Sequence, residues 1–165
     1  SEGGVHEAAC PVLVLRGGAA AWPPARVIVG DDESAPAALA IGVAATLAAA
    51  CGAQLTLARA LPAVPGLPRP ETPQRDELIA VVKGELHLHA SQLLADVADR
   101  VAVAAAVDDP AALLLHLAEC EPGPTLIVVG SRGLRAMERF RLGSTSTKVL
   151  HAAHGPVLVA PHRDG

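Results

Sequence analysis

The chain has 165 residues, a formal net charge of −4 and 51% hydrophobic content, but one Phe, one Trp and no Tyr. That length suits a domain with an ordinary core, which must be built from Ala, Val and Leu. The acidic balance argues against nucleic-acid binding, and the scarcity of aromatic rings removes the stacking platforms that single strands need.

Residues 1–25 carry an internal echo. Val5-His6-Glu7-Ala8-Ala9-Cys10-Pro11-Val12-Leu13-Val14 aligns without gaps on Leu150-His151-Ala152-Ala153-His154-Gly155-Pro156-Val157-Leu158-Val159, with both histidines, Ala8/Ala153 and the whole Pro-Val-Leu-Val run identical. Self-similarity at a fixed offset points to duplication. Residues 1–25 therefore read as the tail of a preceding copy, contributing a helix end, a last strand and a linker, with the complete domain at residues 26–165. Val157–Ala160 is expected to be an apolar edge strand that needs a cover. The strand Pro11–Leu15 can supply it: the gap to the first domain strand is roughly 14 Å, and the linker from Arg16 to Arg26 spans up to roughly 36 Å. The sequence leaves open whether the cover comes from the same chain or a second one.

From Arg26 onward, short apolar runs alternate with helical patterns. Strands are predicted at Arg26–Gly30, Leu55–Ala60, Val101–Val107, Thr125–Val129 and Val157–Ala160. Ser34 caps a helix that begins near Pro36, and Gly52 stops it. Pro62 to Pro73 is too rich in proline for regular structure. Asp76 to about Asp99 reads as one long helix, Asp108-Asp109-Pro110 opens another that ends near Glu121, and Ser144 opens a last one running to Ala153. Unbroken apolar strands alternating with helices imply an α/β fold with a parallel sheet covered on both faces, doubly wound by right-handed crossovers.

The chemistry concentrates after the fourth of these strands. Gly130-Ser131-Arg132-Gly133 is followed by nine residues and then Gly143-Ser144, where a helix begins. Glycine admits close backbone approach, and a helix N-terminus offers unpaired N–H groups with a partial positive charge. The combination is a phosphate cradle, but no Lys follows Gly143 as a Walker A loop requires. Ligands of doubly wound sheets bind where the strand order reverses, so Asp31-Asp32 from the first strand and Gly130 from the fourth meet at one crevice.

Three stretches, in order, resemble the universal stress protein family: Val27-Ile28-Val29-Gly30-Asp31-Asp32-Glu33-Ser34 for its V-x-V-x-x-D-G-S opening, Pro124 to Gly133 with Gly143-Ser144 for its Gly-x2-Gly-x9-Gly-[Ser/Thr] signature, and Gly155-Pro156-Val157-Leu158-Val159-Ala160-Pro161 for its close. The resemblance covers about Arg26 to Pro161. It implies a five-stranded sheet in the order 3-2-1-4-5, adenine nucleotide α-hydrolase-like, and ATP as cofactor, with or without Mg or Mn. By resemblance the binding residues are Asp32, Ala60, Val129, Gly130, Arg132, Gly133, Gly143, Ser144 and Thr145. Asp32 contacts the ribose or a nucleotide-bound metal, the backbone of Ala60 reads the adenine edge, and Gly143, Ser144 and Thr145 hold phosphate oxygens. Pairing through the last strand (Val157, Leu158, Val159) and the N-terminal strand (Val12, Leu13, Val14) is implied as a homodimer or between tandem domains, this chain being the C-terminal copy. The implied function is a nucleotide-dependent stress-response switch with little or no hydrolysis; the alternative is a nucleotide-free pairing module. Glu33 stands where the family has Gly: either its bulk and negative charge near the nucleotide weaken ATP binding, or it points to solvent from the turn. Gly30 to Ser34 also lacks the Ser-Gly-Gly-x-Asp-Ser loop of the related pyrophosphatases, which argues against an enzyme of that type.

The remaining polar residues suggest less. His87 and His89 diverge by about 200° on a helix and do not converge on a metal. Cys10, Cys51 and Cys120 are scattered and read as reduced, small buried hydrophobes of a cytoplasmic protein. No apolar run approaches the ~20 residues of a membrane helix.

Overall fold

The structure, a computed structural model, describes residues 10–131 and 143–161. It contains β1 (Val12–Val14), β2 (Arg26–Gly30), α1 (Ala35–Cys51), β3 (Gln54–Leu61), α2 (Pro73–Leu93), β4 (Ala102–Val107), α3 (Pro110–Cys120), β5 (Thr125–Gly130), α4 (Ser144–Ala152) and β6 (Val157–Ala160), with short 3-10 turns at Ala19–Ala21 and Ala98–Arg100. The described strands form one sheet in the order β1-β6-β5-β2-β3-β4. All neighbours are parallel except β1, which runs antiparallel to β6. Without β1 this is the expected 3-2-1-4-5 order.

Period-two alternation divides the strand residues between two cores. Val27, Val29, Leu55, Leu57, Leu126, Val128 and Leu158 meet α1 and α2 on one face. Ile28, Ala58, Ile127, Val129, Val157 and Val159 meet α3 and α4 on the other. On α1 the inner stripe is Ala37, Ala40, Ile41, Ala44 and Ala48, the i, i+3, i+4 spacing of one helix face. Its small side chains bring the helix close to the sheet. Ser34 accepts from the Ala37 N–H at 3.2 Å, and Gly52 ends the helix at φ 63°, a conformation that glycine adopts without steric cost.

Two expectations need correction. The long helix begins at Pro73 and ends at Leu93. Thr72 caps its start, with proline in the first turn where no N–H is needed. Beyond Leu94 the chain turns to enter β4, and Leu94 and Ala98 pack on the α1/α2 core, so apolar residues that read as helix anchor a turn instead. The cysteines are also not buried: Cys10 and Cys120 are exposed and Cys51 is intermediate. Cys10 lies just outside the sheet edge, and Cys120 ends α3 with its Sγ 3.2 Å from His116 Nε2 on the solvent side.

The cover of β6 comes from the same chain. Val12, Leu13 and Val14 pair with Val159, Leu158 and Val157. Arg16 anchors the strap by donating to the Ala153 carbonyl at 3.1 Å, a carbonyl at the C-terminal end of α4.

Asp109 starts α3 by accepting from the Ala112 N–H at 3.2 Å, and Lys148 of α4 donates to its other oxygen at 3.1 Å. The Lys148 hydrogen bond, then the Ala112 N–H, holds this carboxyl below its ordinary value. A lowered carboxyl contributes stability above its unfolded pKa and loses it as pH falls through the folded one. Asp109→Ala is therefore expected to cost about 1 kcal/mol at neutral pH. The gap from wild type should close as urea unfolding is repeated below the ordinary aspartate range; a gap that does not change with pH would contradict this account.

Candidate functional site

Parallel pairing of β2 with β5, from Arg26↔Thr125 to Val29↔Val128, places the C-terminal ends of both strands together. The chain leaves β2 toward α1 on one face, while the helices after β4 and β5 lie on the other, so a crevice opens between them. It holds a cavity of about 440 Å³. Ala58, Ala60, Leu113, Leu114 and Val129 give it an apolar wall. Gly30, Asp31, Asp32, Ser34, Arg59 and Gly130 border it near the strand ends, and Gly143, Ser144, Thr145 and Ser146 supply the first turn of α4.

Seven residues named from the sequence, Asp32, Ala60, Val129, Gly130, Gly143, Ser144 and Thr145, thus line one cavity. Arg132 and Gly133 lie outside the described residues.

The N-terminus of α4 is built for an acceptor. Gly143 occupies the cap position with φ −62° and ψ 163°, and no side chain caps the helix. Among the described residues its first N–H groups have no side-chain partner; they sit at the positive end of the helix dipole, in a turn whose residues line the cavity. Ser146, which the sequence pattern does not single out, fixes this turn: its Oγ donates to the Gly130 carbonyl at 2.8 Å and ties α4 to the end of β5. Glycine at position 130 has a steric reason within the fold. A Cβ there would lie 3.0 Å from the Pro36 carbonyl oxygen, because α1 starts directly above the strand end.

The two adjacent aspartates have different surroundings. Asp32 is exposed and accepts the Ser34 N–H at 3.0 Å. The Asp31 side chain is fully buried. One oxygen accepts the Glu33 N–H at 2.9 Å; the other meets His89 Nδ1 of α2 and lies 3.6 Å from Arg59 Nη2. A buried carboxylate needs such partners. Sequence reasoning set His89 aside and missed Arg59. The available signal was Arg59 itself, the lone charged residue of β3. The described residues contain no group of three or more metal-ligating side chains. No helix among them is long and apolar enough to cross a membrane.

The model of the universal stress protein family matches residues 24–161. Universal stress proteins of Mycobacterium bovis and Mycobacterium tuberculosis are 34% identical over 164 residues, which cover 94% of this chain and 53% of each relative; the chain spans about half their length. Among solved structures, a universal stress protein in complex with cAMP aligns at 27% identity and a TM-score of 0.58, covering 84% of this chain and 97% of its own. A universal stress protein from Archaeoglobus fulgidus, at 23% identity and a TM-score of 0.63, covers 99% of this chain with 54% of its own.

Gly130→Ala should destabilise the fold by about 1–3 kcal/mol through overpacking against Pro36, without any ligand present. Urea unfolding of the ligand-free protein measures this, and an unchanged midpoint would contradict the steric account of this glycine.

Proposed function

The chain belongs to the universal stress protein family, and on that footing we propose that its cavity binds an adenine nucleotide, ATP in the first instance, and works as a ligand-dependent switch in the stress response rather than by rapid hydrolysis. The observation that carries this reading is the uncapped N-terminus of α4 at one end of a cavity with an apolar wall. A base fits against Ala58, Ala60, Leu113 and Leu114, and phosphate oxygens fit the first N–H groups and hydroxyls of Ser144 and Thr145. A relative solved with cAMP supports the same ligand chemistry. Asp32 stands at the mouth, where it would reach the ribose or a metal carried by the phosphates; Mg²⁺ at such sites often takes one or two carboxylates together with phosphate oxygens.

The register of β1 favours a second role, that of a pairing module. By the echo, Val12, Leu13 and Val14 are equivalent to Val157, Leu158 and Val159. They pair as Val12↔Val159, Leu13↔Leu158 and Val14↔Val157, which is symmetric about the Leu13/Leu158 pair. β1 thus gives β6 the partner that a second β6, related by a two-fold axis, would give. This supports reading β1 as the last strand of a preceding copy, with two copies joined back to back along their last strands. The match of this chain to only half the length of its mycobacterial relatives is in keeping with it.

Two measurements test these readings. In Gly143→Asp the new carboxylate caps α4 and occupies the N–H groups a phosphate would use. Stability should hold or rise by a few tenths of a kcal/mol while titrated ATP and cAMP affinity falls more than about tenfold; equal affinity in wild type and variant would remove the phosphate cradle from the account. A chain starting at Trp22 lacks β1 and exposes the edge of β6. It should sediment as a dimer at concentrations where the full chain is a monomer, and a monomeric truncated chain would end the pairing argument.

A further inference from the structure

The turn between β2 and α1 contains a residue in an unexpected state. Glu33 has φ 65°, the left-handed region, where the Cβ of an L residue is crowded and glycine is not. The turn is held by two backbone-to-side-chain bonds, from the Glu33 N–H to Asp31 Oδ1 at 2.9 Å and from the Ser34 N–H to Asp32 Oδ1 at 3.0 Å. The motif that this stretch resembles has Gly at this position. Glu33 does not line the cavity, although its neighbours Asp32 and Ser34 do.

Its carboxylate lies 3.2 Å from Arg59 Nη2. The Arg59 side chain is 11% exposed and is fixed from two other sides: Nε donates to the Asp31 carbonyl at 2.9 Å and Nη1 to Glu85 of α2 at 3.0 Å. Nη2 is buried and makes no directed hydrogen bond. Its attraction to Glu33 is therefore one of charge at short range, reinforced by the fixed position of the guanidinium.

We propose that the Arg59–Glu33 pair is a charged tether that replaces the missing glycine. It holds residue 33 in the left-handed region and keeps its carboxylate away from the phosphate end of the cavity, which makes Arg59 a positioning residue for the turn that carries Asp32. The effect on ligand affinity rests on the adenine-nucleotide reading; the effect on the turn does not. The substitutions at residue 33 then rank in a way that charge alone does not produce. Glu33→Gly would keep the turn by conformational freedom, whereas Glu33→Ala would have neither that freedom nor a carboxylate for Arg59 to hold. If Glu33 acted only as an anion near the phosphates, both substitutions would tighten binding.

The test uses the full chain, ATP titration, and amide hydrogen exchange at residues 33 and 34 without ligand. Glu33→Gly should bind ATP within about threefold of wild type, and Glu33→Ala about tenfold more weakly, which corresponds to about 1.4 kcal/mol. Arg59→Met should also lose about tenfold, and adding Glu33→Gly to it should restore affinity to within about threefold of wild type; a loss caused by general damage to the Asp31 cluster would not be rescued. Glu33→Ala binding as tightly as wild type or tighter, or a double variant no better than Arg59→Met, overturns the proposal. If wild type binds no adenine nucleotide, that reading fails by itself and exchange decides the tether. Residues 33 and 34 should then exchange about tenfold faster in Glu33→Ala and Arg59→Met than in wild type or Glu33→Gly, and equal rates in all four overturn it.

Discussion

The arrangement depends above all on the parallel pairing of β2 with β5 in the middle of the sheet. Parallel strands need long crossovers, and here the crossovers on either side of this pair lie on opposite faces. The space above the strand ends is left open because neither crossover can fill it. The cavity lies above it, with the β2–α1 turn on one wall and the start of α4 on another. Any chain that paired these strands with right-handed crossovers would have the crevice; the residues at its rim decide what it can hold.

That rim is stiffened by short-range contacts. Ser146 ties α4 to the Gly130 carbonyl, the Ser131 N–H reaches the Ala160 carbonyl at 2.8 Å, and Gly130 lets α1 start within van der Waals distance of the strand end. Helix N-termini attract anions only when their N–H groups are left uncapped and correctly aimed. The first requirement is met by Gly143, which has no side chain to fold back, and the second by Ser146. Elsewhere the helices are capped in the ordinary way: Ser34, Thr72 and Asp109 each accept from their own first turn. α4 is the exception among the described helices, and its first turn, Ser144 to Ser146, lines the cavity.

Much of this was legible in the sequence. The alternation of apolar runs with capped helices marked each strand to within a residue or two, because strands buried on both faces leave little room for ambiguity. Gly130, Gly143 and Ser144, singled out because a close backbone approach and an open helix start each demand a particular residue type, lie around the cavity. The echo at the front identified β1, and only the pairing partner was left open, since strand exchange and intrachain capping make the same hydrogen bonds. What could not be read was long-range. Ala95 to Val97 follow a helical pattern until Leu94 and Ala98 are seen to anchor a turn on the core. His89 on α2 looked idle because Asp31 lies 58 residues away in the chain. Arg59 is the member of that cluster a stricter reading could have caught, since a lone charge in a buried strand requires a partner.

The buried charges approach the cavity from the other face of the sheet. Leu57 belongs to the α1/α2 core, whereas Ala58 and Ala60 belong to the α3/α4 core. By the same alternation Arg59 leaves β3 on the α1/α2 side, and it borders the cavity together with Asp31. The wall on the α3/α4 side can therefore stay small and apolar while the charges that order the β2–α1 turn are satisfied opposite it. Burying an arginine and an aspartate is costly unless each is well partnered, and here one guanidinium meets carboxylates of Asp31, Glu33 and Glu85. These come from a strand end, a turn and a helix respectively, so the cluster binds together three segments that the sheet alone would leave loosely connected. A ligand that entered the crevice would meet a turn already fixed from behind, and the ordering of Asp32 would then cost little at the moment of binding.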